Sequence, residues 1–201
     1  LAYIEGGFQT FVDVLGEKLK KRGVTIKLKT PTTTIIKKGE IFVVTAGKKK
    51  YEFDALVLAV PLQVALKLFS FPHEYYAQYK PLKSIGAQYF VLELNKPLLA
   101  DGTYWLNVND ASFPFMMVAE HTNFVSKKHY NNKHIIWVGK YLDDEHPLWK
   151  LSEKELLQHI TPYLKRINSQ FDASWISRSF FTRFTNAQPI MPLNYSTKIP
   201  S

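Results

Sequence analysis

The run Ala55-Leu56-Val57-Leu58-Ala59-Val60, closed by Pro61, limits what this chain can fold into more than any other stretch. The run is too short for a free-standing helix, and it lacks the apolar–polar alternation of a strand with one wet face. It predicts a strand covered on both sides, as in the middle of an α/β sheet. Ligands of such sheets gather at the carboxyl ends of the strands, which here means Ala59, Val60 and Pro61. A plain core strand is the commoner meaning of the same pattern, and the residues alone leave both readings open.

The chain leading to this run reads as one helix and several strands. After Gly6-Gly7, the residues Phe8, Phe11, Val12, Leu15 and Leu19 recur at helical spacing, and Gly23 can take the left-handed conformation that ends a helix. Val24, Ile26 and Leu28 alternate with Thr25, Lys27 and Lys29, which predicts a half-exposed strand. Residues 32–36 and 41–46 read as strands joined across Lys38-Gly39-Glu40, and a turn at Gly47-Lys48 leads on to Tyr51 and Phe53. The result is a small meander feeding the apolar run.

Beyond Pro61, short helices are expected over 62–69 and, between Pro72 and Pro81, around 74–78. Strands follow over 85–94, 104–108, 115–120 and 134–141, with turn residues at Asn95-Lys96-Pro97, Asp101-Gly102, Asn109-Asp110 and Asn131-Asn132. Such short connections predict a largely antiparallel sheet. Ser152 followed by Glu155 is a capping-box signature, and the helix it opens carries Leu156, Leu157, Ile160, Tyr163, Leu164 and Ile167 on one broad face. Pro162 falls inside this pattern, so a kink is expected there, or a restart with Thr161 as a new N-cap. Residues 175–184 form the last strand candidate, and the prolines of 186–192 predict extended chain after it.

With 46% hydrophobic and 14% aromatic residues in 201, the chain can bury a real core. It has no apolar run of about 18 residues and no signal-peptide pattern, so a soluble, cytoplasmic protein without an integral membrane segment is expected. The start at Leu1 without methionine and the end at Lys198-Ile199-Pro200-Ser201 suggest a piece of a longer polypeptide. The absence of cysteine excludes disulfides, thiolate zinc sites and a cysteine nucleophile. The net charge of +9 raises nucleic-acid binding, but the lysines cluster at a helix end (Lys18, Lys20, Lys21, with Arg22) and at turns (Lys37, Lys38, Lys48, Lys49, Lys50). Both places favour solvated cations, so no nucleic-acid partner is expected.

Motifs for chemistry are sparse. Neither a G-x-G-x-x-G nor a G-x-x-x-x-G-K-[ST] pattern occurs, and the six histidines include no H-E-x-x-H pair, so no metal site is expected. Glu120-His121-Thr122-Asn123 stands at a strand end, where it could line a pocket or simply close a turn; the turn is the more ordinary outcome. Asp143-Asp144-Glu145 reads as a solvated loop.

Several of these pieces in this order resemble the flavin-dependent oxidoreductases of the amine oxidase, protoporphyrinogen oxidase and phytoene desaturase superfamily. The residues that carry the resemblance are Gly6-Gly7-Phe8, the helix to Gly23-Val24, Thr30-Pro31-Thr32-Thr33-Thr34-Ile35, the turn about Gly39, and Phe53-Asp54-Ala55 through Ala59-Val60-Pro61. Residues 89–94 and 120–124 are similar to one bacterial-type branch. The resemblance implies an α+β fold: a partial FAD-binding α/β domain over 1–83, a substrate domain with a mixed, largely antiparallel sheet covered by helices over 84–187, and a return segment over 188–201. It implies FAD in the full-length parent, transfer of a hydride equivalent from a small organic substrate to that flavin, and positions near the cofactor at Thr32, Ala59, Val60 and Pro61.

In some members of the superfamily, a lysine on the strand matching 85–94 holds a water near the flavin. Here the matching place is Gln88 or Tyr89, depending on a one-residue register, which puts ordinary amine oxidation in doubt. His121 and Asn123 are expected as polar substrate contacts, and Tyr89, Tyr104 and Trp105 as pocket walls. The superfamily's dinucleotide fingerprint and C-terminal flavin motif do not occur in the chain, so this piece alone is expected to lack FAD and activity. The alternative from another class is a freestanding, non-catalytic binding module for a protein partner or an anionic surface.

Overall fold

The structure, a computed structural model, describes residues 3–197. The chain falls into two compact units, one made of residues up to Lys83 together with Met191 onward, the other of Ser84–Ile190. The last residues of the expected return segment, 198–201, lie outside the described residues.

In the first unit, helix α1 (Phe8–Lys21) starts at Gly7, whose φ of 83° suits glycine. It ends at Gly23, also left-handed: the Gly23 N–H donates to the Lys20 carbonyl and the Val24 N–H to that of Leu19, the paired bonds of a Schellman ending. No residue of α1 is buried, and Phe8 and Phe11 stand on an uncovered apolar face. The meander forms as expected, with β1 (Thr32–Lys38), β2 (Ile41–Ala46) and β3 (Lys49–Phe53) antiparallel in that order. Ile35, Val43, Val44 and Ala46 are its buried residues. Helices α2 (Leu62–Leu68) and α3 (His73–Tyr79) each follow a proline at the N-cap.

Two expected strands do not form. Residues 55–60, read from sequence as a strand covered on both sides, belong to no ladder, and Val57 is 89% exposed. Residues 24–28 likewise pair with nothing, and Leu28 is 80% exposed. The reason is common to both: a strand exists only through a neighbour that takes its N–H and C=O groups, and no described residue supplies one.

In the second unit, β4 (Ser84–Leu94), β5 (Trp105–Asn107), β6 (Met117–Glu120), β7 (His134–Leu142) and β8 (Ile176–Pro189) make one sheet in the order β5-β6-β7-β4-β8. Every pairing in it is antiparallel. One face is closed by α5 (Glu153–Ile167), whose Leu156, Ile160 and Leu164 join Phe90, Leu92, Leu94, Val118, Ile136 and Val138 in the core. The capping box is present: Ser152 Oγ accepts the Glu155 N–H, and the Ser152 N–H donates to Glu155 Oε2.

Of the two outcomes expected at Pro162, a kink or a restart, the restart does not occur. The helix runs through Pro162, and the Thr161 hydroxyl donates to the Leu157 carbonyl at 2.6 Å instead of capping a new start. Apolar burial of Ile160 and Leu164 on either side outweighs the one backbone bond that proline cannot make. A short helix, α4 (Pro147–Lys150), was not anticipated; the His146 ring nitrogen caps it by accepting the Leu148 N–H. No helix among the described residues is long and apolar enough to cross a membrane.

Leu164 is fully buried, so Leu164→Ala is expected to lower stability to urea by about 2–5 kcal/mol. Ser152→Ala, which removes only the cap, is expected to cost about 1 kcal/mol in the same measurement.

Candidate functional site

The site follows from the alternation of β4. Gly86, Gln88, Phe90, Leu92 and Leu94 are buried, while Ala87, Tyr89, Val91 and Glu93 point to the opposite face and are only partly covered. Cross-strand pairing extends this second face across the sheet. Tyr89 lies opposite Gly139, Val91 opposite Trp137 and Ala87 opposite Tyr141 on one side; on the other, Ala87 lies opposite Phe184. Gly139 continues to Met117 and Trp137 to Ala119, which in turn faces Trp105. A cavity of about 550 Å³ opens here over the small residues Ala87 and Gly139, walled by Tyr89, Trp105, Met117, Trp137, Tyr141 and Phe184. Its size is that of a small-molecule site.

Gly139 is what allows this packing. A Cβ there would stand 2.7 Å from Tyr89 Cβ, too close for any side chain. The Tyr89 ring stacks on Trp137 with centroids 5.2 Å apart and leans on Phe184 at 6.1 Å. Trp105 Nε1 donates to Asn107 Oδ1 at 2.9 Å, which fixes the indole at the edge strand.

On the closed face, Gln88 Nε2 reaches the Leu148 carbonyl and its Oε1 accepts from Arg183 Nη2, both at a long 3.4 Å. The Arg183 guanidinium also donates to the Leu151 carbonyl and sits between the Trp149 and Phe181 rings, 5.0 Å from each. Tyr89 thus presents its ring to the cavity, whereas the Gln88 amide turns away from it.

Of the residues singled out from sequence, Gln88, Tyr89 and Trp105 border the cavity, while Tyr104, His121 and Asn123 do not. The last three hold the chain that leaves β6. Asn123 Nδ2 donates to the carbonyls of Leu99 and Thr103, both at 2.8 Å, and His121 Nε2 meets the Tyr130 hydroxyl at 2.8 Å. Tyr104 packs on Phe124 at 5.2 Å. Sequence reasoning missed Trp137, Tyr141 and Phe184. Ile135-Ile136-Trp137-Val138 is apolar without a break, so its pattern could not say which residues face outward.

The remaining candidates lie in the first unit. Thr32 opens β1, half-buried, opposite Ala46. Ala59 and Val60 are exposed, and the Pro61 carbonyl accepts the N–H groups of Val64 and Ala65 at the start of α2. Among the described residues, no cluster of histidine and carboxylate side chains could hold a metal ion.

With this geometry in view, comparison with known proteins is informative. The sequence model for flavin containing amine oxidoreductases matches residues 1–189. No curated protein matches the sequence. Among solved structures, the chain is similar to a proposed protoporphyrinogen oxidase from Exiguobacterium sp. 255-15, at TM-score 0.79 and 14% identity over 97% of this chain and 42% of that one. It is similar to a redesigned putrescine oxidase at TM-score 0.66 and 19% identity, over 88% of this chain and 38% of that one. An oxidoreductase from Methanosarcina mazei matches at TM-score 0.68 and 17% identity, over 92% and 43%. The likeness shows a shared α+β fold, and the chain spans about two-fifths of the length of these structures.

Burial holds the His121 imidazole below its ordinary value of 6.5. The folded state then takes up this proton less readily than the unfolded one, so stability is full above pH 6.5 and falls as pH drops toward the depressed folded value. Denaturation midpoints followed downward from neutral pH should show this decline, and His121→Gln should flatten part of it.

Proposed function

Because the chain belongs to the flavin containing amine oxidoreductase family, we propose that Ser84–Ile190 is the substrate-binding part of an FAD-dependent oxidoreductase and that the first unit belongs to the part that holds the flavin. The observation that carries this reading is the sheet with one closed face and one open, aromatic face over a cavity of about 550 Å³. An open apolar cavity with a few polar groups at its border is the usual form of a small-molecule site.

The residues present fit one part of FAD and not another. Residues 55–60 offer backbone outside any ladder, with the small side chain of Ala59 exposed, and such a segment leaves room for a planar group to approach closely. Gly6-Gly7 lead into α1, but neither a G-x-G-x-x-G nor a G-x-x-x-x-G-K-[ST] pattern occurs, so the chain carries no dinucleotide-type cradle for the diphosphate. Thr32, Ala59, Val60 and Pro61 would therefore border the cofactor without anchoring it. When bound, the flavin supplies the acceptor for a hydride equivalent.

This chain's own residues bind and orient the substrate. Tyr89, Trp137 and Phe184 exclude water from the open face, and Trp105 and Met117 wall the cavity toward the edge strand. Gln88 borders the cavity along β4. His121, Asn123 and Tyr104 act as positioning residues, because they hold the segment from which β5 and Trp105 extend. No side chain is assigned as an acid or base.

Two measurements test this reading. A longer polypeptide containing this chain should purify with flavin, and an organic substrate added without oxygen should bleach it; a polypeptide that takes up no flavin overturns the proposal. Tyr89→Ala in that protein is expected to slow bleaching about tenfold or more through lost orientation, and an unchanged rate would remove Tyr89 from the site. The 201-residue chain alone should bind FAD with Kd weaker than about 1 μM, which a stoichiometric titration at lower concentration would contradict.

A further inference from the structure

The open face also carries information about charge. Among the described residues bordering the cavity there is no carboxylate; Gln88 and Lys140, paired across β4 and β7, reach it along the backbone and place their side chains on the closed face. The one carboxylate on this face of the sheet is Glu93, which stands four residues along β4 from Tyr89 and is paired with Arg178 at 3.4 Å. The Arg178 guanidinium in turn lies over the Phe180 ring, with 4.8 Å to its centroid. Among the described residues, the one acidic group on this face is thus already compensated.

A substrate part bearing an ammonium group would lose hydration on entering this space and gain no countercharge from the described residues that line it, and burying an unpaired charge is strongly unfavourable. Aromatic faces can attract a cation, but the Tyr89 ring is stacked on Trp137 and tilted against Phe184, and a cation–π attraction is small beside the desolvation cost of an unpaired charge. An uncharged apolar group meets the opposite balance. Each methylene or ring edge seated over Ala87 and Gly139 leaves water for contact with carbon, at no cost in charge.

We infer that the substrate part seated in this cavity is apolar and carries no positive charge, so that this site selects an uncharged hydrophobic substrate over a diamine or polyamine. The inference rests on the reading of Ser84–Ile190 as a substrate-binding unit. It separates this chain from the putrescine oxidase of similar fold, whose structure holds putrescine.

The test uses the 201-residue chain without flavin, so its outcome does not depend on oxidoreductase activity. Equilibrium dialysis should show saturable binding of 2-naphthol and none of 1,4-diaminobutane at the same concentrations. Ala87→Leu, which fills the cavity floor, and Trp105→Ala, which opens its wall at the exposed edge strand, should each weaken 2-naphthol binding about tenfold. Trp105→Ala guards against the first variant failing to fold, and circular dichroism checks both. Asn107→Asp keeps an oxygen acceptor for the Trp105 indole while adding a carboxylate, and should confer measurable 1,4-diaminobutane binding. Absence of saturable 2-naphthol binding, equal affinity for both probes, or 2-naphthol binding unmoved in a folded Trp105→Ala variant overturns the inference. Intact 2-naphthol binding beside a longer polypeptide that takes up no flavin would instead overturn the oxidoreductase reading alone.

Discussion

Strand β4 hydrogen-bonds to β7 on one side and β8 on the other, and this double ladder fixes which of its side chains face the helix and which face the cavity. A slip of one residue would bring Phe90, Leu92 and Leu94 out of the core, forfeiting about 1.5–3 kcal/mol for each. The register is therefore held by burial on the closed face, and the open face inherits its order from it. Two glycines serve the two faces in the same way. Gly86 admits the Trp149 ring, which a Cβ would meet at 2.7 Å, and so helps close one side; Gly139 admits Tyr89 and so sets the cavity on the other.

The edge of the cavity depends on a different kind of bond. Trp105 sits on a strand of three residues, too short to hold itself, and the segment before it is tied down by side chains. Glu120, fully buried at the end of β6, accepts the Leu99 N–H and meets His134 Nδ1 at 3.1 Å. Asn123 takes the carbonyls of Leu99 and Thr103, and Asn168 that of Leu98. The side-chain bonds to the Leu99 N–H and to the Leu98, Leu99 and Thr103 carbonyls tie this segment's backbone down, and leaving a buried backbone group unpaired costs about 1–3 kcal/mol. The polar run Glu120-His121-Thr122-Asn123, which from sequence could line a pocket or close a turn, closes a turn and supports the edge of the cavity from outside its lining.

Local patterns were legible where the signal is local. The glycine ending of α1, the meander turns and the Ser152–Glu155 box all depend on residues within a few positions of one another, and all appear in the structure. The cavity was only partly legible. Tyr89 and Trp105 could be proposed, but the rings that complete the site come from β7 and β8, and only the register of a sheet brings them beside β4. The strand expected over 55–60 was misread for a related reason: hydrophobicity records what a segment would bury against, and a ladder needs that neighbour to be present.

Exposed apolar surface consequently means different things in the two units. On the open face of the large sheet every strand is laddered, the rings are packed on one another, and Gly139 leaves room where a side chain would block it. Such a face is stable as it stands, and its exposure is the property of a site. In the first unit, Val57 and Leu28 are exposed on backbone that joins no ladder, and α1 shows Phe8 and Phe11 with no buried residue along its length. A helix gains most of its stability from packing its apolar face, so this exposure marks surface suited to contact with protein or cofactor. Order within the exposed patch, more than its hydrophobicity, is what distinguishes a cavity for substrate from a surface that calls for a neighbour.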